Sequence, residues 1–177
     1  MHTPEIRRLL PADADAYRTL MLQAYAAHPE AFTASVDERA AFPMSWWETR
    51  VGAGEDSMEA SFGAFDGAAL VGAVSYRREP RPKSRHKASL LGMFVQPAAR
   101  HGGTGKALVQ ALLRHARGQA GLRVVQLTVS EGNEAAQRLY ERCGFSVFGV
   151  EPLAMREGER YIAKVHMWTD LAAPLPS

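Results

Sequence analysis

The sequence has little cysteine and no long apolar segment, and each scarcity excludes a class of protein. Cys143 is the only cysteine in 177 residues, so no disulfide can form within the chain, and a cytoplasmic, reducing location is expected. The strongest apolar run, AALVGAV at 68–74, is far shorter than the ~20 residues that span a bilayer. The opening MHTPEIRRLL lacks the apolar core of a signal peptide. We therefore expect neither a disulfide-linked nor a membrane-spanning protein.

A strong charge of either sign is also missing. The formal net charge is +2, which favours an anionic small molecule as a partner at least as well as nucleic acid. With 46% hydrophobic residues the chain has enough apolar side chains for a full core. Its length suits one domain over 1–177, whose last few residues, APLPS, are expected to form a tail.

The first half of the chain shows strand and helix patterns in alternation. A short strand over 5–10 precedes a helix that Asp13 or Asp15 caps, and a second short helix covers 44–51, with an irregular loop between the two helices. Asp66-Gly67 is a hairpin signal between two strands, because glycine accepts positive φ without steric cost. A further strand follows over 88–95.

The second half repeats the alternation. It predicts helices over 103–118 and 134–143, strands over 124–129, 146–151 and 160–168, and a loop through Gly158. Strands separated by helices predict parallel neighbours in the middle of a sheet, and hairpins at either side predict antiparallel ones. The predicted fold class is therefore α/β, with a central mixed sheet of six to seven strands flanked by about four helices.

The stretch RHGGTGKA at 100–107 is rich in glycine and stands directly before a helical pattern. A Walker A loop would need glycine at Arg100 and a hydroxyl residue at Ala107, and a dinucleotide loop would need glycine at Leu108, so both motifs fail. The amides of a first helical turn still lack intrahelical partners and attract anions, and glycines let a ligand approach them. The stretch predicts a phosphate site, unless the glycines only turn the chain into the helix.

Two motifs together resemble one family. RHGGTG matches the Arg/Gln-x-x-Gly-x-Gly/Ala signature of the GNAT N-acetyltransferase superfamily, and NEAAQRLYERCGF at 133–145 is similar to its Asn-x-x-Ala-x-x-Leu-Tyr-x-x-x-Gly-Phe motif. A predicted strand lies between the two motifs, as in that family. The resemblance implies a GNAT-like fold in which two parallel strands splay apart, and an enzyme that transfers an acetyl group from acetyl-CoA to a primary amine by direct attack in a ternary complex.

The resemblance also implies where the coenzyme binds. Its pantetheine arm would lie along the strand near Met93, Phe94 and Val95 and reach the side chain of Asn133, and an amide of Val95 or Phe94 would polarise the thioester carbonyl. Its pyrophosphate would be held by the backbone amides of seven successive residues: Arg100, His101, Gly102, Gly103, Thr104, Gly105 and Lys106.

Tyr140 matches the family tyrosine that acts as general acid toward the leaving sulfur. A phenol can hydrogen-bond to a departing thiolate and give it a proton. Tyr140 also belongs to an i, i+3, i+4, i+7 stripe with Ala136, Leu139 and Cys143, so packing in the core is the alternative. Asn133 is a natural helix cap, a role that is compatible with contact to the coenzyme. Cys143, on the same stripe, is expected to be a small buried residue.

The general base is not evident from the sequence. Many relatives place a glutamate in the strand before the glycine loop, but SLLGMFV contains no carboxylate. Asp37, Glu38, Glu131 and a water molecule remain candidates. The acceptor amine, on a small molecule or a peptide, is expected to enter from the side of residues 28–47 and the loop 78–86, where Phe42, Trp46 and Trp47 either line the pocket or pack a short helix on the sheet.

Two other functions remain open at this stage. A non-catalytic acyl-CoA-binding or regulatory domain would keep the same fold, and the missing carboxylate fits it. The basic segment RREPRPKSRHK at 77–87 could contact nucleic acid, although the absence of aromatic residues within it disfavours base stacking. No histidine pairs with a carboxylate at ligand spacing, so no metal is expected. The C-terminal strands leave a homodimer open.

Overall fold

Seven strands and five α-helices make up the part of the chain that the computed structural model describes, residues 4–52, 54 and 57–173. The strands are β1 Glu5–Arg8, β2 Glu59–Asp66, β3 Ala69–Arg78, β4 Lys87–Val95, β5 Val124–Ser130, β6 Ser146–Glu157 and β7 Arg160–Asp170. The helices are α1 Ala14–Ala27, α2 Val36–Ala40, α3 Met44–Val51, α4 Thr104–Gly118 and α5 Glu134–Arg142. Short 3-10 helices cover Pro11–Asp13, Pro29–Ala31 and Pro97–Gly102. The expected C-terminal tail includes residues 174–177, which lie outside the described residues.

The strands form one mixed sheet in the order β1-β2-β3-β4-β5-β7-β6, which confirms the predicted fold class. β4 and β5 are the parallel pair, and the other neighbours are antiparallel. The expectation of parallel neighbours fails for β5 and β6, although α5 connects them, because β7 lies between them. β7 carries the more buried residues of the final hairpin, so it occupies the inner position and β6 forms the exposed edge.

The parallel strands β4 and β5 splay apart. Their pairing runs only from Lys87↔Val124 to Ser89↔Gln126, while both strands continue well beyond this point. Along β4 the pairing with β3 is interrupted by a bulge, where Gly92 has φ +60°. Facing edges of β4 and β5 are therefore left without ladder partners, and this confirms the predicted splay.

Apolar side chains pack on both faces of the sheet. The larger cluster includes Leu108 and Leu112 of α4 and Tyr140 of α5, and the smaller includes Tyr17 and Trp47 of α1 and α3. Trp47 is fully buried, so the packing interpretation of α3 is confirmed. Cys143 is buried as predicted, and burial raises the pKa of its thiol. No helix within the described ranges combines the length and the apolar character needed to cross a bilayer.

Two local predictions were wrong. The segment between the first two long helices is not irregular, because it contains α2, whose cap Ser35 accepts a hydrogen bond from the amide of Glu38 at 3.1 Å. The Ser-x-x-Glu spacing of a capping box was its signal in the sequence. The strand predicted over 146–151 continues to Glu157, since bulges accommodate Pro152 and Leu153, and Gly158 belongs to a tight turn.

Asp13 fastens the first strand to α1. Its carboxylate accepts hydrogen bonds from Arg7 Nη1 and Nη2 at 2.8 and 2.9 Å and from the amide of Leu10 at 2.8 Å. The bond from Arg7 is the main reason that the pKa of Asp13 is lowered. Because the folded-state pKa lies below the unfolded value of ~3.9, the pair stabilises the fold above pH ~4 and loses this effect as the pH falls through the folded-state pKa.

We expect Asp13→Asn to lower the free energy of unfolding at pH 7 by about 0.5–1 kcal/mol, since the pair is partly exposed. The difference from wild type should shrink steadily below pH 4, as measured by urea unfolding at several pH values. Asp66→Asn is the control, because asparagine suits the same hairpin turn. A difference that stays constant down to pH 2 would contradict this role of the carboxylate.

Candidate functional site

Two connected hollows lie where β4 and β5 diverge. The larger, here the glycine groove, has a volume of about 910 Å³ and runs from Met93–Val95 past Gly103–Lys106 to the start of α5. The smaller, here the inner cavity, has a volume of about 370 Å³ and lies between the splayed strands and helices α1–α3. Met93, Asn133 and Leu139 line both hollows. A ligand in the groove can therefore meet a second ligand in the cavity.

The N-terminus of α4 opens into the glycine groove. The earliest intrahelical bond of α4 runs from the amide of Ala107 to the carbonyl of Gly103 at 3.0 Å, so the preceding amides have no acceptor within the helix. Gly103 has φ +76°, and apart from its chain neighbours no heavy atom of the described residues lies within 4 Å of where its Cβ would stand. A Cβ on Gly105 would lie 3.2 Å from Leu139 Cδ2 and 3.4 Å from Met93 Cε. The loop thus offers free amide donors with open space around them, which fits a phosphate group.

Not all of the residues predicted for the coenzyme line the groove. Gly102 is exposed beside it, and Thr104 is buried with a hydroxyl that has no partner among the described residues, so its side chain points inward. The side chain of His101 lies outside what the structure describes. The predicted residues that do line the groove are Met93, Phe94, Val95, Arg100, Gly103, Gly105, Lys106 and Asn133.

The Arg100 side chain braces the β4–α4 connection. Its Nε donates to the carbonyl of Val95 at 2.9 Å, its Nη2 lies 3.3 Å from His28 Nε2, and its guanidinium lies 5.9 Å from the centre of the Phe94 ring. Its guanidinium is therefore partly committed to the protein itself. Lys106, which also lines the groove, has no ion-pair partner among the described residues.

The amide of Val95 points into the cleft. Gln96 donates its amide to the carbonyl of Val71 at 2.8 Å, and β3 pairs with β4 through Gly72↔Val95 and Ala73↔Phe94. Because backbone groups alternate between the two edges of a strand, the amide of Phe94 faces β3 and that of Val95 faces the opposite edge. Of the two amides considered from the sequence, the pairing leaves that of Val95 available to a ligand.

Tyr140 lines the inner cavity and follows Leu139, which lines both hollows. Asn133 caps α5 as predicted, accepting from the amide of Ala136 at 3.2 Å, and Tyr140 follows on the face that lines the inner cavity. Its side chain is 6% exposed, and its hydroxyl has no hydrogen bond within the described part of the chain. Burial, with a smaller effect of Cys143, raises the pKa of Tyr140. The phenol therefore stays protonated at neutral and moderately alkaline pH.

Four cationic side chains line the inner cavity, and sequence reasoning missed all of them: Arg39, Arg50, Arg77 and Lys164. They come from α2, α3, β3 and β7, so no sequence motif groups them. The amine of Lys164 donates to Ser130 Oγ at 2.9 Å and lies 3.4 Å from the carbonyl of Ala31. Burial lowers the pKa of Lys164.

The carboxylates considered as bases are not in the inner cavity. Asp37 and Glu38 are exposed on α2 and line neither hollow, and Glu131 lines the glycine groove. The segments expected to face the acceptor differ in where they lie. Ala31–Ala34 and Arg39 line the cavity, but the loop 78–86 lines neither hollow, nor do Phe42, Trp46 and Trp47.

Comparison with known proteins identifies the class to which this fold and site belong. The acetyltransferase (GNAT) family matches residues 20–145, and the chain belongs to that family. It is 36% identical to the mycothiol acetyltransferase of Salinispora tropica over 137 residues, and this aligned region covers 76% of this chain and 42% of that protein. The chain thus spans less than half the length of the mycothiol acetyltransferases that it matches.

A relative of more similar length is the L-methionine sulfoximine/L-methionine sulfone acetyltransferase of Pseudomonas aeruginosa, 30% identical over 72% of each chain. Among solved structures, a GCN5-related N-acetyltransferase of Kribbella flavida superposes with a TM-score of 0.77 at 24% identity, covering 95% of this chain and 98% of that one. An acetyltransferase of Salmonella typhimurium, solved with its cofactor acetyl-CoA, gives 0.78 at 23% identity and 98% coverage of both chains. These structures share the fold.

Proposed function

We propose that the chain transfers an acetyl group from acetyl-CoA to a primary amine, which attacks directly while both substrates are bound. The observation that carries this proposal is the meeting of the glycine groove and the inner cavity at Met93, Asn133 and Leu139, with Tyr140 lining the cavity side. Membership of the GNAT family supports it.

The glycine groove is the proposed site of acetyl-CoA. The free amides of Gly103, Gly105 and Lys106 receive the diphosphate, where the positive end of the helix dipole adds to their hydrogen bonds. The unpaired edge of β4 from Met93 to Val95 receives the amide-bearing arm much as it would an added strand, and Asn133 lies beside it. When bound, acetyl-CoA supplies a thioester, an acyl donor that an amine can attack without an enzyme nucleophile.

Two groups of the chain stabilise the negative charge that develops on the thioester, one at its oxygen and one at its sulfur. The amide of Val95 donates to the acetyl oxygen as negative charge builds on it. The Tyr140 hydroxyl donates to the departing sulfur. Because the pKa of Tyr140 is raised well above that of a thiol, ~8.5, the phenol stabilises the thiolate mainly as a hydrogen-bond donor.

The attacking amine must lose a proton. With no Asp, Glu or His among the described residues that line the inner cavity, we propose that water accepts this proton. The cations that line the cavity make this loss easier, since like charges disfavour the ammonium form.

We also propose that the acceptor is a small molecule or a peptide, that the protein is cytoplasmic and that it forms a homodimer. The relatives are named after different molecules: mycothiol, L-methionine sulfoximine and sulfone and, for a Brucella melitensis neighbour, ribosomal-protein alanine. A single buried cysteine supports a cytoplasmic location. Exposed Phe148, Val150 and Leu153 on the edge strand β6 support pairing of two copies as a homodimer.

Calorimetry and thermal shift with acetyl-CoA, followed by release of coenzyme A thiol with a panel of amines, test the function. We expect acetyl-CoA at 100 times its Kd to stabilise the fold by ~2.7 kcal/mol, and thiol release to depend on the amine. Binding without turnover of any amine would favour the acyl-CoA-binding alternative. A shift with an oligonucleotide but not with acetyl-CoA would overturn the proposal in favour of nucleic acid.

A further inference from the structure

The inner cavity contains arginine donors that lack acceptors. Arg50 is 6% exposed, and its Nη1 has no hydrogen bond among the described residues, although Glu59 Oε2 lies 3.2 Å away. The Nε of Arg39 is likewise buried and unbonded in the described chain. Buried N–H groups almost always have a partner, and hydrogen bonds to charged groups are the strongest in proteins. Arg39 also interacts with the Tyr25 hydroxyl, and other arginines outside the hollows have unbonded nitrogens too, so what distinguishes Arg39 and Arg50 is where they lie, at the wall of a cavity whose described residues include no carboxylate.

Both arginines pack against the same indole ring, that of Trp46. Their guanidinium carbons lie 4.8 Å (Arg39) and 4.7 Å (Arg50) from the centre of the Trp46 ring. Two neighbouring cations repel each other unless an anion lies near them. Glu59 partly serves Arg50, whereas Arg39 has no carboxylate within ion-pair distance among the described residues. Packing against Trp46 holds the pair ready for an anionic group.

The other charged residues around the cavity do not cancel its excess of positive charge. Arg77 stands opposite Glu59 on neighbouring strands, and Lys164 stands opposite Glu151, but neither forms an ion pair within the described residues. The described residues that line the cavity include four cations and no carboxylate. A cationic amine without an anionic group would meet net repulsion there, while an amine that carries such a group would be attracted.

We infer that the inner cavity binds a small primary amine that carries an anionic oxygen group, a carboxylate or a phosphonate, with Arg39 and Arg50 as its receptors. This inference rests on the proposed function and names its acceptor class. The volume of about 370 Å³ lies near the lower end for small-molecule sites, which suits a molecule the size of an amino acid. Arg forks bind planar carboxylates and phosphonates with paired hydrogen bonds.

A matched set of amines tests the inference. L-Methionine sulfone, its phosphonate analogue, its carboxamide and the corresponding amine without a carboxylate share one side chain and differ only in the group under test. We expect kcat/KM to be at least about tenfold higher for the two acids than for the two compounds without an anionic group, because each charge-assisted bond is worth this much. The carboxamide holds more free amine at neutral pH, so a preference for the acids would oppose intrinsic reactivity.

Arg39→Met should remove this preference. We expect the ratio of kcat/KM for the acid over the carboxamide to fall by about 10- to 100-fold, mainly through KM for the acid, with KM for acetyl-CoA unchanged. Arg39→Lys should keep part of the preference. Arg114→Met, on the exposed face of α4 outside both hollows, is the control and should leave the ratio unchanged.

The outcomes separate the inference from the proposed function. Turnover of neutral or cationic amines with no turnover of the acids, or an unchanged ratio in Arg39→Met, would overturn the inference and leave acetyl transfer standing. Failure of every amine together with absence of acetyl-CoA binding would overturn the proposed function. Acetyl-CoA binding with failure of all four amines, while other amines are acetylated, would also overturn the inference.

Discussion

Replacing Tyr140 by phenylalanine should lower kcat by about 100-fold and leave KM for acetyl-CoA within about twofold. The Tyr140 side chain is buried and lines the inner cavity, and its hydroxyl makes no hydrogen bond within the described residues, so it is available to the departing sulfur of a thioester that reaches the cavity. Phenylalanine keeps the packing against Phe145 and removes only the donor. Steady-state kinetics with acetyl-CoA and the best amine of the panel measure the effect.

The pH profile adds an independent check. Because burial raises the pKa of Tyr140, the phenol is protonated throughout pH 6–9 and contributes no inflection there. The same fold reduction in kcat is therefore expected at pH 6 and at pH 9. Tyr76→Phe is the matched control, since Tyr76 is fully buried, lines neither hollow, and has a hydroxyl without a partner in the described chain. Equal losses in both variants, or full activity of Tyr140→Phe, would remove the proposed donor role.

Gly103→Asp should weaken the binding of acetyl-CoA at least about tenfold relative to Gly103→Asn. Two unit charges 10 Å apart interact by ~1.7 kcal/mol at an effective dielectric constant of ~20, which exceeds the 1.4 kcal/mol of one decade. Both side chains tolerate the left-handed backbone at this position, where φ is +76° and, apart from the chain neighbours, no heavy atom of the described residues lies within 4 Å of the Cβ position. The pair of variants thus isolates charge from shape.

The thermal stability of the two unliganded variants should rank in the opposite order to their affinities for acetyl-CoA. A carboxylate near a helix N-terminus stabilises the free protein by about 0.3–1 kcal/mol, so unliganded Gly103→Asp should melt above Gly103→Asn. Calorimetry for affinity and thermal melts without ligand measure both quantities on the same samples. Equal affinities of the two variants for acetyl-CoA would show that the diphosphate does not lie at the start of α4.

The residues of the glycine groove could be predicted from local motifs, because each of its two main segments is short and contiguous in the sequence. The loop at 100–106 and the helix that begins at Asn133 are short segments whose geometry follows from glycine, a capping side chain and helical spacing. Helix α2 also has a local signal in the sequence, since Ser35 and Glu38 have the spacing of a capping box.

The inner cavity could not be predicted in this way. Arg39, Arg50 and Lys164 line the same cavity but belong to three separate elements. In the sequence each is one of 21 basic residues, a residue type that is mostly found on a solvated surface. The order of the last two strands posed the same difficulty, because periodicity in β6 and β7 shows that they pair and not which of them joins β5. Both features depend on long-range packing, which no local pattern encodes.

We also expect the short pairing of β4 with β5 to make the folded fraction of the protein depend on ligand. Three residue pairs join the two portions of the sheet on this line, from Lys87↔Val124 to Ser89↔Gln126, and beyond them each strand is paired only on its other side, β4 with β3 and β5 with β7. A molecule that binds across this gap favours the folded chain by mass action, so the folded fraction rises with its concentration. Under the proposed function, we therefore expect the unfolded fraction of the chain, which is the form that proteases cleave, to fall as the concentration of acetyl-CoA rises.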